Sequence, residues 1–318
     1  MFRAKKLPGK ARFRRGDIVQ VRLADEIFRT LDPAGKLEGL PFMPEMVQYC
    51  GRRFGVYRRA DKVFLDRHYV ARMKATVLLE GLRCDGHAHG GCQMSCLLLW
   101  KEAWLRPAEA PQERGDAPIG RRCAGTEPLR RAETGRFSCQ ATELIGASSR
   151  LPGLDPRQYL RDLISRDVSL RQLAVELRLM AYNKGRHLLG YRPRGTLSGN
   201  GEAVAPESLD LQPGELVRVK SREEVAATLD ASGRTRGLTF TPEMAIHCGK
   251  TYRVGRRVDR IILEWSGEMR TIPNTVILEE VTCRGIGARL CPRSCYLLWR
   301  EAWLKRADDG VSTQAADR

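Results

Sequence analysis

CDGHAHGGCQMSCLLLWKEAWL, residues 84–105, and CRGIGARLCPRSCYLLWREAWL, residues 283–304, are one stretch written twice. Each runs Cys-x7-Cys-x3-Cys into an apolar block and closes on Trp-x-Glu-Ala-Trp-Leu. A further thiol stands upstream in each copy, Cys50 and Cys248, and both are followed by Gly. An internal repeat sets the unit that must fold, so it governs every local reading.

Working outward, almost every landmark of the first copy returns in the second. Gly16-Asp17-Ile18-Val19-Gln20-Val21 becomes Gly214-Glu215-Leu216-Val217-Arg218-Val219, and Thr30-Leu31-Asp32 becomes Thr228-Leu229-Asp230. Pro44-Glu45-Met46 becomes Pro242-Glu243-Met244. Cys50 and Cys248 are 198 positions apart, whereas Cys96 and Cys295 are 199 apart. The extra residue falls near Ser266-Gly267, a turn signal between strands expected over Arg260–Glu264 and Met269–Ile272. Alternation of apolar and polar residues from Gly16 and from Gly214 predicts strands. Pro44 suits the first turn of a short helix. Read as helices, the two endings place Trp100 with Trp104, and Trp299 with Trp303, on one face at i and i+4. Those indoles then pack on the β-structure; an exposed pair beside arginine would instead stack on bases.

The chain divides into a basic flexible arm (1–15), the first repeat (16–106), a Pro- and Ala-rich linker (107–136), a helical connector (137–195), a Pro/Gly-rich linker (196–213), the second repeat (214–306) and a flexible tail (307–318). In the connector, helices are expected over Gln158–Ile164, behind the N-cap pair Asp155-Pro156, and over Ser169–Ala181. Asn183-Lys184-Gly185 should end or kink the second. Its start is like the first helix of a helix-turn-helix, but the turn glycine that should follow is missing.

The pattern Gly-Asp/Glu-x-Val-x-Val, followed by Cys-Gly-x-x-Phe/Tyr-x-Val, resembles the strand and turn order of SH3-like barrels, of which the KOW-type barrels of translation and transcription proteins are one branch. The resemblance covers residues 16–80 and 214–280. It implies an α+β chain with two homologous SH3-like β-domains. Each would carry a four-cysteine metal knuckle and a C-terminal Trp-containing helix, and a helical linker segment would join them.

Four thiols recurring in order predict metal ligands: Cys50, Cys84, Cys92 and Cys96 in the first repeat, and Cys248, Cys283, Cys291 and Cys295 in the second. Thiolates suit zinc in closed tetrahedral sites, so two zinc sites are expected, with iron–sulfur as the alternative, which the Cys291-Pro292 pair suggests. Buried hydrophobic thiols are the remaining reading. His87 and His89 lie inside the first loop and are possible additional ligands; the second loop has no histidine. Glu45 and Glu243 recur near the first thiol of each set as capping or supporting residues. Cys123 and Cys139 have no counterpart in the repeats; Cys139 with His187 is a remote nucleophile–base pairing.

A net charge of +17 points to an anionic partner: nucleic acid, an acidic protein surface or a lipid surface. Arg3, Lys5, Lys6, Lys10, Arg12, Arg14 and Arg15 in the basic arm are candidate phosphate contacts. No stretch approaches the roughly 20 apolar residues of a membrane span, and the N-terminus lacks an apolar signal region, so a cytoplasmic, bacterial-type protein is expected. Its oligomeric state is left open. There is no phosphate-binding loop, dinucleotide fingerprint, His-Glu-x-x-His or Gly-x-Ser-x-Gly motif. The expected function is a zinc-stabilised tandem-repeat protein that binds nucleic acid or another polyanion. The alternatives are an assembly factor for a biosynthetic or transcription complex, and a metalloenzyme using the first-repeat site.

Overall fold

A computed structural model describes residues 13–65, 69–108, 135–151, 155, 157–191, 193, 195–199 and 208–307. The first copy runs β1 (Ile18–Val21), α1 (Ala24–Phe28), β2 (Lys36–Leu37), β3 (Leu40–Pro41), a 3₁₀ turn over Pro44–Tyr49, β4 (Arg53–Arg59), β5 (Lys62–Leu65), β6 (Tyr69–Arg72), β7 (Thr76–Arg83), β8 (Leu97–Lys101) and β9 (Leu105–Pro107). The connector supplies β10 (Ser149–Arg150), α2 (Arg157–Ile164) and α3 (Leu170–Leu188). The second copy runs β11 (Leu216–Val219), α4 (Arg222–Ala226), β12 (Arg234–Thr235), β13 (Leu238–Thr239), a 3₁₀ turn over Met244–His247, β14 (Thr251–Arg257), β15 (Arg260–Ile262), β16 (Met269–Thr271), β17 (Thr275–Thr282), β18 (Tyr296–Arg300) and β19 (Leu304–Arg306).

Each copy builds a curled five-stranded antiparallel sheet, in the orders β8-β7-β4-β1-β9 and β18-β17-β14-β11-β19. The registers match. Val19 lies opposite Phe54 and Pro107, and Val217 lies opposite Tyr252 and Arg306. Alternation puts Val19 and Val21, like Val217 and Val219, wholly inside. Both sheets break register at the same place, Val56/Arg58 and Val254/Arg256. Such a bulge bends the strand and increases twist, which lets a short sheet wrap its own core. The chain is thus α+β with two barrel-like repeats.

The cassette ending corrects the expected helix. Leu97–Lys101 and Tyr296–Arg300 are strands, and one 3₁₀ turn follows each, over Glu102–Trp104 and Glu301–Trp303. Pairing with β7 and β17 makes the better use of a run of apolar side chains. The turn then swings the second tryptophan back onto the same core. All four cassette tryptophans are fully buried. Phe42 meets Trp100 and Trp104 edge-to-face at 6.3 and 5.2 Å, and Phe240 meets Trp299 and Trp303 at 6.2 and 5.1 Å. The turn is anchored by an ion pair that recurs too, Arg59–Glu102 and Arg257–Glu301. The indoles are therefore core residues, and losing one costs on the order of 3–5 kcal/mol.

Two compact units emerge. Of the described residues, the first holds those up to Arg178 together with Arg260–Arg270 and Arg284–Cys295; the second holds those of Leu179–Asp259, Thr271–Cys283 and from Tyr296 on. In the connector, α2 and α3 form as expected, but α3 continues through Gly185 to Leu188. One glycine costs a helix about 1 kcal/mol and does not stop it. Most of linker 107–136, the 307–318 tail beyond Ala307, and Arg3, Lys5, Lys6, Lys10, Arg12 and Cys123 lie outside the described residues.

Candidate metal centre

The best-formed constellation sits in the first repeat, where Glu45, Cys84 and His89 each turn a donor atom toward one point. The three atoms lie within 4.8 Å of one another, and among the described residues no other group of His, Cys, Asp and Glu converges this way. Glu45 comes from the 3₁₀ turn that Pro44 opens. Cys84 follows the last residue of β7, and His89 comes from the loop behind it.

That loop owes its shape to glycine. Gly86, Gly90 and Gly91 have φ of 75°, 76° and 72°. At Gly86 a Cβ atom would lie 2.0 Å from the Cys92 carbonyl oxygen, so no other residue fits there. The N–H groups of His89 and Gly91 both donate to the Gly86 carbonyl. The tight loop turns the His89 imidazole inward, and its Nε2 lies 3.3 Å from the Cys84 sulfur. His87, two residues earlier, is exposed, and its N–H donates to Asp85. Of the two candidate histidines, the fold brings in only His89.

The centre is buried and incompletely satisfied. His89 is 2% exposed and Glu45 9%. Neither Glu45 oxygen has a hydrogen-bond partner of normal geometry, and neither does His89 Nδ1. Burial pushes the Glu45 carboxyl and the Cys84 thiol up, the thiol further because Glu45 lies beside it, and pushes the His89 imidazole down. Each orphaned buried polar atom costs about 1–3 kcal/mol. A cation bound between the three donors would remove that cost and hold the thiol as thiolate. A nucleophile–base–orienter chain fits poorly. It needs a carboxylate on the far imidazole nitrogen, whereas Nδ1 has no partner and Glu45 sits beside the sulfur.

The other predicted ligands are placed elsewhere. Cys50 ends the Pro44–Tyr49 turn and packs, like Cys84, against the edge of the core; its sulfur does not join the group. The Cys84 N–H donates to the Cys96 carbonyl at 2.8 Å, yet the Cys96 sulfur does not join either. Cys92 and Cys96 lie in the same compact unit as Cys291 and Cys295. There the equivalent thiols are treated alike: Cys92 Sγ accepts the Ile262 N–H at 3.4 Å and Cys291 Sγ accepts the Phe64 N–H at 3.3 Å. Arg83 donates to the equivalent carbonyls of Ser95 and Ser294 at 2.8 and 3.1 Å. Arg293 is paired with Glu264 at 2.8 Å and lies near Cys96, Cys291 and Cys295. Cys139 is buried and held up by that burial. No disulfide is formed among the described cysteines.

In the second repeat, Cys248 caps the Met244–His247 turn and Cys283 follows β17. Ala288 occupies the position of His89. His247 takes the place of Tyr49. Its Nδ1 lies 2.6 Å from the Tyr252 hydroxyl and its ring packs on Trp299 as Tyr49 packs on Trp100. Arg14 and Arg15 of the basic arm are exposed.

Comparison with protein-family models, with curated proteins and with solved structures returns no match. The site is therefore read from its own chemistry. Glu45 is the donor that thiol counting leaves out of the ligand set. The available signal was the recurrence of Pro-Glu-Met just before the first cysteine.

Proposed function

We propose that this is a metal-bearing tandem-repeat binding protein whose first repeat holds one zinc ion on Glu45, Cys84 and His89, and whose partner is a polyanion such as nucleic acid. The metal reading is carried by the buried Glu45 carboxylate, both of whose oxygens lack partners beside a thiol and an imidazole. A mixed sulfur, nitrogen and oxygen set suits zinc. Iron–sulfur clusters are held chiefly by four cysteine thiolates, so this donor set speaks against that alternative. The polyanion reading is supported by the net charge of +17. Elemental analysis of the purified chain, followed by filter binding with single-stranded and duplex DNA and RNA near physiological salt, tests both halves. Zinc without visible colour and a salt-sensitive affinity are expected; a colourless, metal-free protein or the absence of nucleic-acid affinity rejects the corresponding half.

A second reading, metal-assisted hydrolysis, is favoured by one observation. Three protein donors leave a tetrahedral metal one position for water. A screen of ester and phosphoester substrates with the wild-type protein and His89→Ala decides it, because only metal-dependent turnover disappears in the variant.

A further inference from the structure

Of the fourteen large apolar side chains that stand exposed among the described residues, nine fall between Leu160 and Tyr191. Helix α3 carries most of them. At 100° per residue, Leu170, Ala174, Leu177, Ala181 and Leu188 fall within about 60° of one another on the helix. All five are exposed; Leu170 and Leu188 are 73% and 77% accessible. Arg171 and Arg178 flank this stripe on one side and Lys184 on the other, also exposed.

The carboxylates of the region are turned away from that face. Asp162 pairs with Lys62. Asp167 accepts the Arg59 N–H and the Ser165 hydroxyl. Glu176, 1% exposed, accepts the N–H groups of Gly287 and Arg289 at 2.8 and 3.0 Å. The outer face of α3 is thus apolar along its centre and purely cationic at its borders.

That combination selects the occupant. A nucleic acid would use the cations but gain nothing from a leucine stripe. A second copy packed on the same stripe would bring arginine and lysine against arginine and lysine. An anionic lipid surface uses both features, with acyl chains for the leucines and headgroups for the cations. We propose that the outer face of α3 is an interfacial helix that lies on an anionic membrane surface. It is not a span: no helix among the described residues is long and apolar enough to cross a bilayer. The proposal goes beyond the metal centre and does not depend on it.

The test is co-sedimentation of the full chain with vesicles of phosphatidylglycerol and phosphatidylcholine, against vesicles of phosphatidylcholine alone. Binding to the anionic vesicles only, weakened by salt, is expected. Leu177→Asp and Leu188→Asp together should weaken it at least about tenfold, and so should the triple change Arg171→Glu, Arg178→Glu, Lys184→Glu. All five positions are exposed, so an unchanged far-ultraviolet circular dichroism spectrum accompanies the loss. No binding to anionic vesicles at low salt overturns the proposal, as does binding that survives both sets of changes. A concentration-dependent dimer abolished by Leu177→Asp gives the face to a second copy and also overturns it. Nucleic-acid affinity lost in the aspartate variants gives the face to the polyanion instead, with the same consequence.

Discussion

The loops after Cys84 and after Cys283 share a glycine hinge and divide in chemistry. Each hinges on a left-handed glycine, Gly86 or Gly285, whose missing Cβ makes room for the carbonyl oxygen of Cys92 or Cys291. Each closes with two N–H groups on that glycine's carbonyl, from His89 and Gly91 or from Ala288 and Leu290. The first loop then uses its inward position for His89 and completes a donor set with Glu45. The second has Ala288 there, and the carboxylate of Glu176 ties down its backbone. The first also spends glycine on both left-handed positions after the histidine, whereas Arg289 and Leu290 adopt φ of 51° and 60°. One glycine hinge thus serves a candidate metal centre in one copy and a carboxylate clamp in the other. The inward side chain separates them, and so does the backbone at Gly287, left-handed at φ 80° where the first loop has Ala88 in its 3₁₀ turn.

The sharpest way to break this comparison is metal stoichiometry. One zinc per chain is expected, lost in Cys84→Ser and His89→Ala and kept in Cys283→Ser. Two zinc ions per chain would show that the copies are equivalent. Chelation should lower the melting temperature of the wild type and of Cys283→Ser but not of Cys84→Ser or His89→Ala, by the equivalent of about 2.7 kcal/mol when the metal had stood at a hundredfold excess over its dissociation constant.

The hairpins differ as well. Lys62 of the first copy is buried against Asp162, while its counterpart Arg260 is exposed. Burial raises the Asp162 carboxyl to about 6, above its ordinary 3.8. The folded protein therefore binds more protons between those values, and this group's contribution to stability falls as pH rises from about 4 to about 6. At 1.36 kcal/mol per unit the ceiling is roughly 3 kcal/mol. Urea midpoints at pH 4.5 and 7 should show wild type losing ground to Asp162→Asn across that window. Parallel behaviour of the two proteins would remove the distinction between the hairpins.

Glu176→Ala leaves the Gly287 and Arg289 N–H groups of the second loop without their carboxylate acceptor, at a cost of about 2 kcal/mol. Amide exchange should quicken at Gly287 and Arg289 while the Gly86–Gly91 loop stays protected. Equal quickening in both loops would mean the clamp is not local. The smallest effect concerns the left-handed positions. Arg289→Gly should stabilise by up to about 1 kcal/mol by relieving φ. The converse, Gly90→Ala, should destabilise, because its Cβ would lie 2.7 Å from the Phe137 ring. A neutral result for both would show that φ at this position carries no strain.

The opening strands of each repeat were readable because period-two alternation and a duplicated landmark series reinforce each other, as at Val19/Val21 and Val217/Val219. The cassette tryptophans misled: i, i+4 spacing is equally served by a strand followed by one 3₁₀ turn, and only the pairing partner β7 or β17 distinguishes them. Counting thiols grouped Cys50, Cys84, Cys92 and Cys96 by their place in the repeat. Convergence in space depends on side-chain direction, which brought Glu45 and His89 to Cys84 and set Cys92 and Cys96 in one unit with Cys291 and Cys295.

By itself, then, the sequence determined the duplicated unit, the strand frame, the buried aromatic ends and the basic character of the chain. These follow from composition and period, which act along the chain. The tertiary structure alone decided which histidine faces inward, which carboxylate joins the thiol, and which acids turn away from the outer face of α3. Those choices depend on left-handed glycines and on contacts between segments far apart in sequence, and no local pattern encodes them.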